Sequence, residues 1–291
     1  SSDVCSSDLA VKERFESLFT QVWGGQVESD ELNKLVLVTQ LDARGISVLR
    51  AYNRYFKQLG FAFSQSYMEA TLYKHASVTQ LLMDGFDARF NPAVQADRDQ
   101  LMADVSARIE ESLAQVESLE EDKILRQFHQ AMLATLRTNY WQQHSDGGSK
   151  PYLSFKFNPR VLPGVPEPRP LFEIWVYSPR VEGVHLRNGK VARGGLRWSD
   201  RREDFRTEIL GLVKAQQVKN TVIVPAGSKG GFVLKNPPPT GDREALMAEG
   251  VACYKMFLSG LLDLTDNLVQ GTVVAPAQLV RHDADDPYLV V

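Results

Sequence analysis

Residues 192–232 read ARGGLRWSDRREDFRTEILGLVKAQQVKNTVIVPAGSKGGF, and this stretch decides the fold. Its middle places Phe205, Ile209 and Leu212 at helical spacing, with Ser199 or Asp200 available as a cap. The β-branched run TVIV at 221–224 predicts a strand, and GSKGG at 227–231 predicts a glycine loop behind it. Working outward, VEGVHLRNGKVARGG (181–195) reads as strand and turn, with Asn188–Gly189 suited to a hairpin. YLSFKFNP (152–159) and LFEIWVYSP (171–179) alternate apolar and polar residues around a proline-stiffened loop, as strands do. A helix over 242–264 and a strand-like GTVVAP (271–276) follow. Strands, helix, strand, helix, strand make an α/β layer, expected to hold a mixed sheet.

Upstream, residues 10–145 predict an all-helical domain. Phe15, Leu18, Phe19 and Val22 make one stripe, and Ile46, Leu49, Tyr52 and Phe56 a second that Gly60 ends. Ser64 can cap a third helix carrying Tyr67, Thr71 and Leu72. Pro92 is expected to open a run striped by Leu101, Val105, Ile109 and Leu113, and Ile124, Phe128, Met132 and Leu136 stripe a helix through Trp141. The acidic residues Glu117 to Asp122 read as a solvated turn. HSDGGSKP (144–151) is a linker by composition, so the α/β domain is assigned 146–291. The near-repeat SSDVCSSDL at 1–9 has no signal-peptide character and reads as a non-native scar, with no role for Cys5. DDPYLVV at the other end reads as an unfinished strand and the chain as a fragment.

A length of 291 residues suggests two domains, and a net charge of −3 argues against nucleic acid as a partner. Two cysteines fit a reducing, cytoplasmic setting, and no apolar run is read as approaching the ~20 residues of a membrane span.

Lys229 lies between Ser228 and two glycines. A Walker loop would need a helix and a hydroxyl directly behind the lysine, but here Gly230, Gly231 and then three prolines at 237–239 follow. No G-x-G-x-x-G follows a strand, so no cofactor-binding residues are assigned. A lysine between small residues lets substrate approach closely, and a dry setting beside other cations favours the neutral amine that activates water. Arg193 beside Gly194 and Gly195, together with Lys219, supplies those cations, and Gln216, one turn before Lys219, supplies a neutral donor. Such a set suits a substrate with two carboxylates. His75, His129 and His185 have no partner at metal spacing; His282 in RHDADD could bind a cation but reads as part of a polar turn, so no metal is assigned. Trp198 and Phe205 read as core aromatics, and Cys253 as buried within a helix.

The run from Arg193 to Phe232 closely resembles the large-subunit bacterial NAD-specific glutamate dehydrogenases. It is similar, more distantly, to the substrate domain of the small hexameric glutamate dehydrogenases, with their K-G-G-L-R and P-x-G-G-A-K-G-G motifs. The resemblance implies that Lys229 is the catalytic lysine, Lys219 the partner of the substrate α-carboxylate and Gln216 its helper. It puts Arg193 where the small enzymes hold the distal carboxylate with a lysine, and lets Gly194 and Gly195 offer backbone contacts. It implies oxidation of L-glutamate with NAD to 2-oxoglutarate and ammonia by a cytoplasmic homo-oligomer. Asp283, Asp285 and Asp286 do not match the family's acid–base aspartate motif. That motif and the nucleotide-binding domain are expected beyond Val291, leaving this fragment inactive alone. A dehydrogenase for another amino acid and a non-enzymatic assembly module are the competing readings.

Overall fold

The computed structural model describes residues 2–219 and 226–291, with side chains from Ser6 onward and without that of Lys219. The strand expected over 221–224 lies outside the described residues. The chain divides into two compact units, one of residues 1–57 and 61–132 and one of 58–60 and 133–291.

The first unit is helical: α1 (Ser2–Trp23), α2 (Leu35–Val38), most of α3 (Ala43–Leu59), α4 (Gln65–Lys74), α5 (Ala76–Phe90), α6 (Arg98–Leu113) and most of α7 (Leu119–Ala134). Gly60, with φ of 76°, ends α3, and Phe61 N donates to Phe56 O across it at 3.0 Å. Ser64 caps α4 by accepting from Tyr67 N. The stripes of α3 and α7 meet at Phe56 and Phe128, whose rings sit edge to face 4.9 Å apart. The structure corrects four expectations in this unit. Helix, expected from residue 10 onward, begins earlier: residues 2–9 are part of α1. The α1 stripe is not one buried face, because Leu18 is buried whereas Phe15 and Phe19 are exposed. Asp97, not Pro92, starts α6, its carboxylate accepting from Gln100 N. The acidic run is a solvated turn only at its start: Glu117 is exposed ahead of α7, whereas Glu120 to Asp122 form the helix's first turn and Glu121 is buried between His75 at 2.6 Å and Lys74 at 2.8 Å.

The second unit is built on a six-stranded sheet of β1 (Thr135–Thr138), β2 (Leu153–Phe157), β3 (Phe172–Tyr177), β4 (Val181–Arg187), β5 (Arg193–Trp198) and β6 (Gly227–Leu234). Its order is β1-β2-β3-β4-β6-β5, antiparallel throughout except for the parallel pair β5/β6. A parallel pair needs a crossover, and α8 (Phe205–Lys219) lies in it. α9 (Arg243–Asp263) covers the other face, followed by a small hairpin of β7 (Asn267–Val269) and β8 (Thr272–Val274).

The pleat sorts side chains between the two helices. Glu173 and Trp175 meet Arg206 and Phe205 of α8, whereas Val176 and Phe232 join Phe257 and Leu261 of α9 in one apolar cluster. Cover on both faces explains why β2 and β4 are buried at every position although their sequences alternate.

Four readings of this unit are corrected as well. TLRT is the edge strand β1, not the end of a helix, so sheet structure begins at Thr135. Asn188–Gly189 makes no hairpin, because β6 lies between β4 and β5, and Gly189 is not at positive φ. GSKGG is not a loop but the first half of β6. Helix α8 starts at Phe205, leaving Ser199 and Asp200 in the turn before it, where Ser199 Oγ accepts from Arg201 N. In addition α9, 21 residues long and with an 18-residue window of mean hydropathy 1.3, has the length and composition of a membrane span, yet its Cys253, Phe257 and Leu261 are buried in the sheet's apolar cluster.

Candidate functional site

The parallel ladder sets Arg193 opposite Gly227, Gly194 opposite Ser228 and Gly195 opposite Lys229. Antiparallel pairing continues the last row through Leu186 to Glu173. Cross-strand partners share a face, so Lys229 and Gly195 point the way Glu173 does, to the side of α8. Arg193, two residues before Gly195, shares that side.

The glycines divide by what lies above them. A Cβ at Gly194 would collide with the Ser228 carbonyl, at Gly227 with Gln216, at Gly230 with Leu196 and at Gly231 with Ile209. These four let strand, helix and neighbouring side chains approach closely, which explains a strand so rich in glycine. Gly195 differs: a Cβ there would meet nothing within 4 Å among the described residues. No described atom therefore fills the space over Gly195, the register partner of Lys229.

Cations border that space. Lys229 is half-buried and Arg193 exposed, and neither has an ion pair among the described residues. Nearby cations of the same face are paired: Arg206 with Glu173 at 2.6 Å and Arg197 with Glu208 at 2.7 Å. Gln216 Nε2 donates to Arg193 O at 2.9 Å, while Gln216 Oε1 is buried without a partner among the described residues. Lys219 is the last residue of α8, three residues beyond Gln216, and its side chain lies outside the described residues. The fold thus gathers Arg193, Gly195, Lys229 and Gln216 at one end of the β5/β6 ladder. Gly194 serves packing there. Sequence reasoning missed Asn188 Nδ2, buried and unpaired among the described residues at the same end of the sheet, and Ser228 Oγ, likewise unpaired but on the face opposite Lys229 with Gly194 and Arg187. Nothing local marks them, because only the insertion of β6 brings them there.

The opposite side of the sheet carries a paired charge network. Arg137 binds Asp266 at 2.9 Å and Asp283 at 2.7 Å, Lys156 binds Asp283 at 2.6 Å and Asp286 at 2.7 Å, and Arg187 grips Asp286. Burial raises the Asp286 carboxyl, but Arg187 and Lys156 outweigh it and hold the group below the usual carboxylate range. Asp266 is held low the same way, burial being outweighed by Arg137. Asp285 pairs with Arg281 at 2.7 Å. All three aspartates near the chain's end are therefore engaged in ion pairs. His185 is buried in β4, and burial with Arg187 pushes its imidazole down to about 4. Burial, with Glu249 beside it, pushes the Cys253 thiol up to about 12, which disfavours the thiolate. No cluster of metal-ligating side chains occurs among the described residues.

An anion with a carbonyl or amine to transform fits this arrangement of two cations without ion pairs among the described residues, a neutral amide and an open niche. Residues 108–291 match the profile of the family described as bacterial NAD-glutamate dehydrogenase, catalytic domain, and residues 27–92 match glutamate dehydrogenase, helical motif 3. The chain is 53% identical over 277 residues to the NAD-specific glutamate dehydrogenase of Halomonas elongata, covering 95% of this chain and 17% of that one. It is 52% identical to the protein of the same name from Pseudomonas aeruginosa and 51% to that from Mycobacterium tuberculosis, in each case covering 97% of this chain and 18% of the relative. The chain therefore spans under a fifth of the length of these relatives.

Proposed function

This chain belongs to the bacterial NAD-glutamate dehydrogenase family, and from that premise we propose that the α8 side of its β5/β6 ladder is the glutamate site of a longer enzyme. The reaction proposed for that parent is the NAD-dependent deamination of L-glutamate to 2-oxoglutarate and ammonia. The observation that carries the site is the open niche at Gly195 beside Lys229, a lysine with no ion pair among the described residues.

Each group has a role set by its place. Arg193 grips the distal carboxylate, its planar fork suiting two oxygens where a lysine would offer a point charge. Lys219 binds the α-carboxylate with Gln216, whose buried Oε1 is available to accept from the substrate's ammonium. Gly195 leaves room for the substrate to lie against the strand. The Lys229 amine takes a proton from the water that attacks the imino carbon and returns it as ammonia leaves. The described residues do not fit the nicotinamide cofactor. Four glycines of the ladder lie beneath side chains or backbone rather than facing a pyrophosphate, and no glycine opens α8. The single glycine before α9, Gly241, is followed by Asp242, whose carboxylate itself caps the helix by accepting from Ala245 N.

The test is turnover by the full-length parent. Lys229→Ala lowers glutamate oxidation by about a hundred-fold or more if the assignment holds. Unchanged turnover refutes it, and faster turnover of leucine than of glutamate by the wild type refutes the substrate.

A further inference from the structure

Residues 188–192 join β4 to β5 and decide where Arg193 begins. The peptide immediately before Arg193 is pinned on both sides. Its nitrogen, Arg193 N, donates to Ala226 O at 3.2 Å, and its oxygen, Ala192 O, accepts from Tyr288 Oη at 3.0 Å. Ala192 is wholly buried, so water does not replace that donor freely. The next carbonyl, Arg193 O, accepts from Gln216.

Tyr288 is itself held from behind. Arg187 Nη1 donates to Tyr288 O at 2.7 Å and to Lys190 O within the linker at 3.4 Å, and its guanidinium lies 6.0 Å from the Tyr288 ring. Arg187 is fixed by Asp286, whose backbone nitrogen donates to Asp266 at 2.7 Å. A continuous chain of polar contacts thus runs from the charge network, through Asp286, Arg187 and Tyr288, to the backbone of Arg193. The phenol's hydroxyl reaches across to the β4–β5 linker and bonds to no other group in the network.

We propose that Tyr288 is a positioning residue: by holding the Ala192 carbonyl, it aims Arg193 and so sets the preference for a substrate with a second carboxylate. This rests on the assignment of Arg193 to that carboxylate. Tyr288 touches no substrate; it acts through the backbone.

Tyr288→Phe in the full-length dehydrogenase removes only the hydroxyl. The readouts are competitive inhibition by glutarate, which has both carboxylates, and by valerate, which has one, alongside kcat. The expected result is a glutarate Ki raised roughly three- to ten-fold, as for one lost hydrogen bond, with valerate Ki and kcat unchanged. Equal weakening of both inhibitors, or no change in either, overturns the proposal. Arg193→Gln separates the two assignments. If it abolishes the glutarate preference and Tyr288→Phe does not disturb it, only the role of Tyr288 falls. If Arg193→Gln leaves the preference intact, the assignment of Arg193 falls and the inference with it.

Discussion

Gly195 on β5 and Lys229 on β6 are register partners, and among the described residues the space a side chain at Gly195 would occupy is open while the other glycines of these two strands are closed. That contrast distinguishes a glycine kept for access from glycines kept for packing, and it makes the two kinds separable by experiment.

Gly195→Ala is expected to leave thermal stability within about 1 °C of wild type, since the methyl group displaces nothing. Gly231→Ala drives a methyl into Ile209 and is expected to destabilise the chain by ~1–3 kcal/mol, the usual range for overpacking. In the full-length enzyme Gly195→Ala instead raises the KM for glutamate. Paired melting curves and steady-state kinetics check both, and a reversed pattern would rule out a substrate niche at Gly195.

Lys229→Ala is expected to lower kcat of the full-length enzyme by about 10²–10⁴-fold, the range for a lost acid–base group. Lys229→Arg should not restore it, because a guanidinium does not give up its proton. Initial rates of glutamate oxidation decide the matter; a loss smaller than ten-fold is incompatible with the proposed role.

The Glu173–Arg206 pair, closed at 2.6 Å and 3.0 Å, is buried at both ends. Arg206→Met strands the carboxylate in the interior and should cost ~3–5 kcal/mol in urea denaturation. Adding Glu173→Leu should recover most of that loss, because the carboxylate's desolvation cost goes with it. If the double variant is as unstable as the single one, shape rather than charge dominates the site.

Burial lowers the His185 imidazole to about 4 from its ordinary 6.5. Between those values the unfolded chain binds a proton that the folded chain refuses, so stability rises with pH across the window and falls as pH drops from 6.5 toward 4. The whole contribution is about 3 kcal/mol at most, by 1.36 kcal/mol per unit. Urea midpoints measured from pH 7 to pH 4.5 should drop less steeply in His185→Gln, and parallel slopes would contradict this origin of the pH dependence.

Helices with a clean stripe and a local stop are legible in the sequence. Gly60 ends α3, Ser64 caps α4, and Phe205 and Ile209 mark the buried side of α8. The edge strand β1 is hidden because Leu136 continues the spacing of Met132, so the helical period runs unbroken across a boundary that only pairing with β2 creates. Strand β6 is hidden by its glycines, which carry little β-propensity and look like a turn until α8 is packed on them. At the site, Arg193, Gln216 and Lys229 stand out by type and spacing. The contribution of Tyr288 does not, because its partner Ala192 is 96 residues away. Long-range pairing also accounts for the aspartates at 283 and 286, whose cations sit on strands far upstream.

The interposition of β6 has a consequence for biosynthesis. While the ribosome is still making α8, β4 and β5 are already present, yet each keeps an unsaturated edge facing the gap where their shared neighbour belongs. A nascent chain halted before residue 234 would expose both edges at once, and such intermediates are templates for aggregation. Both edges are therefore satisfied only when β6, the final strand of this sheet to be made, enters the slot between them.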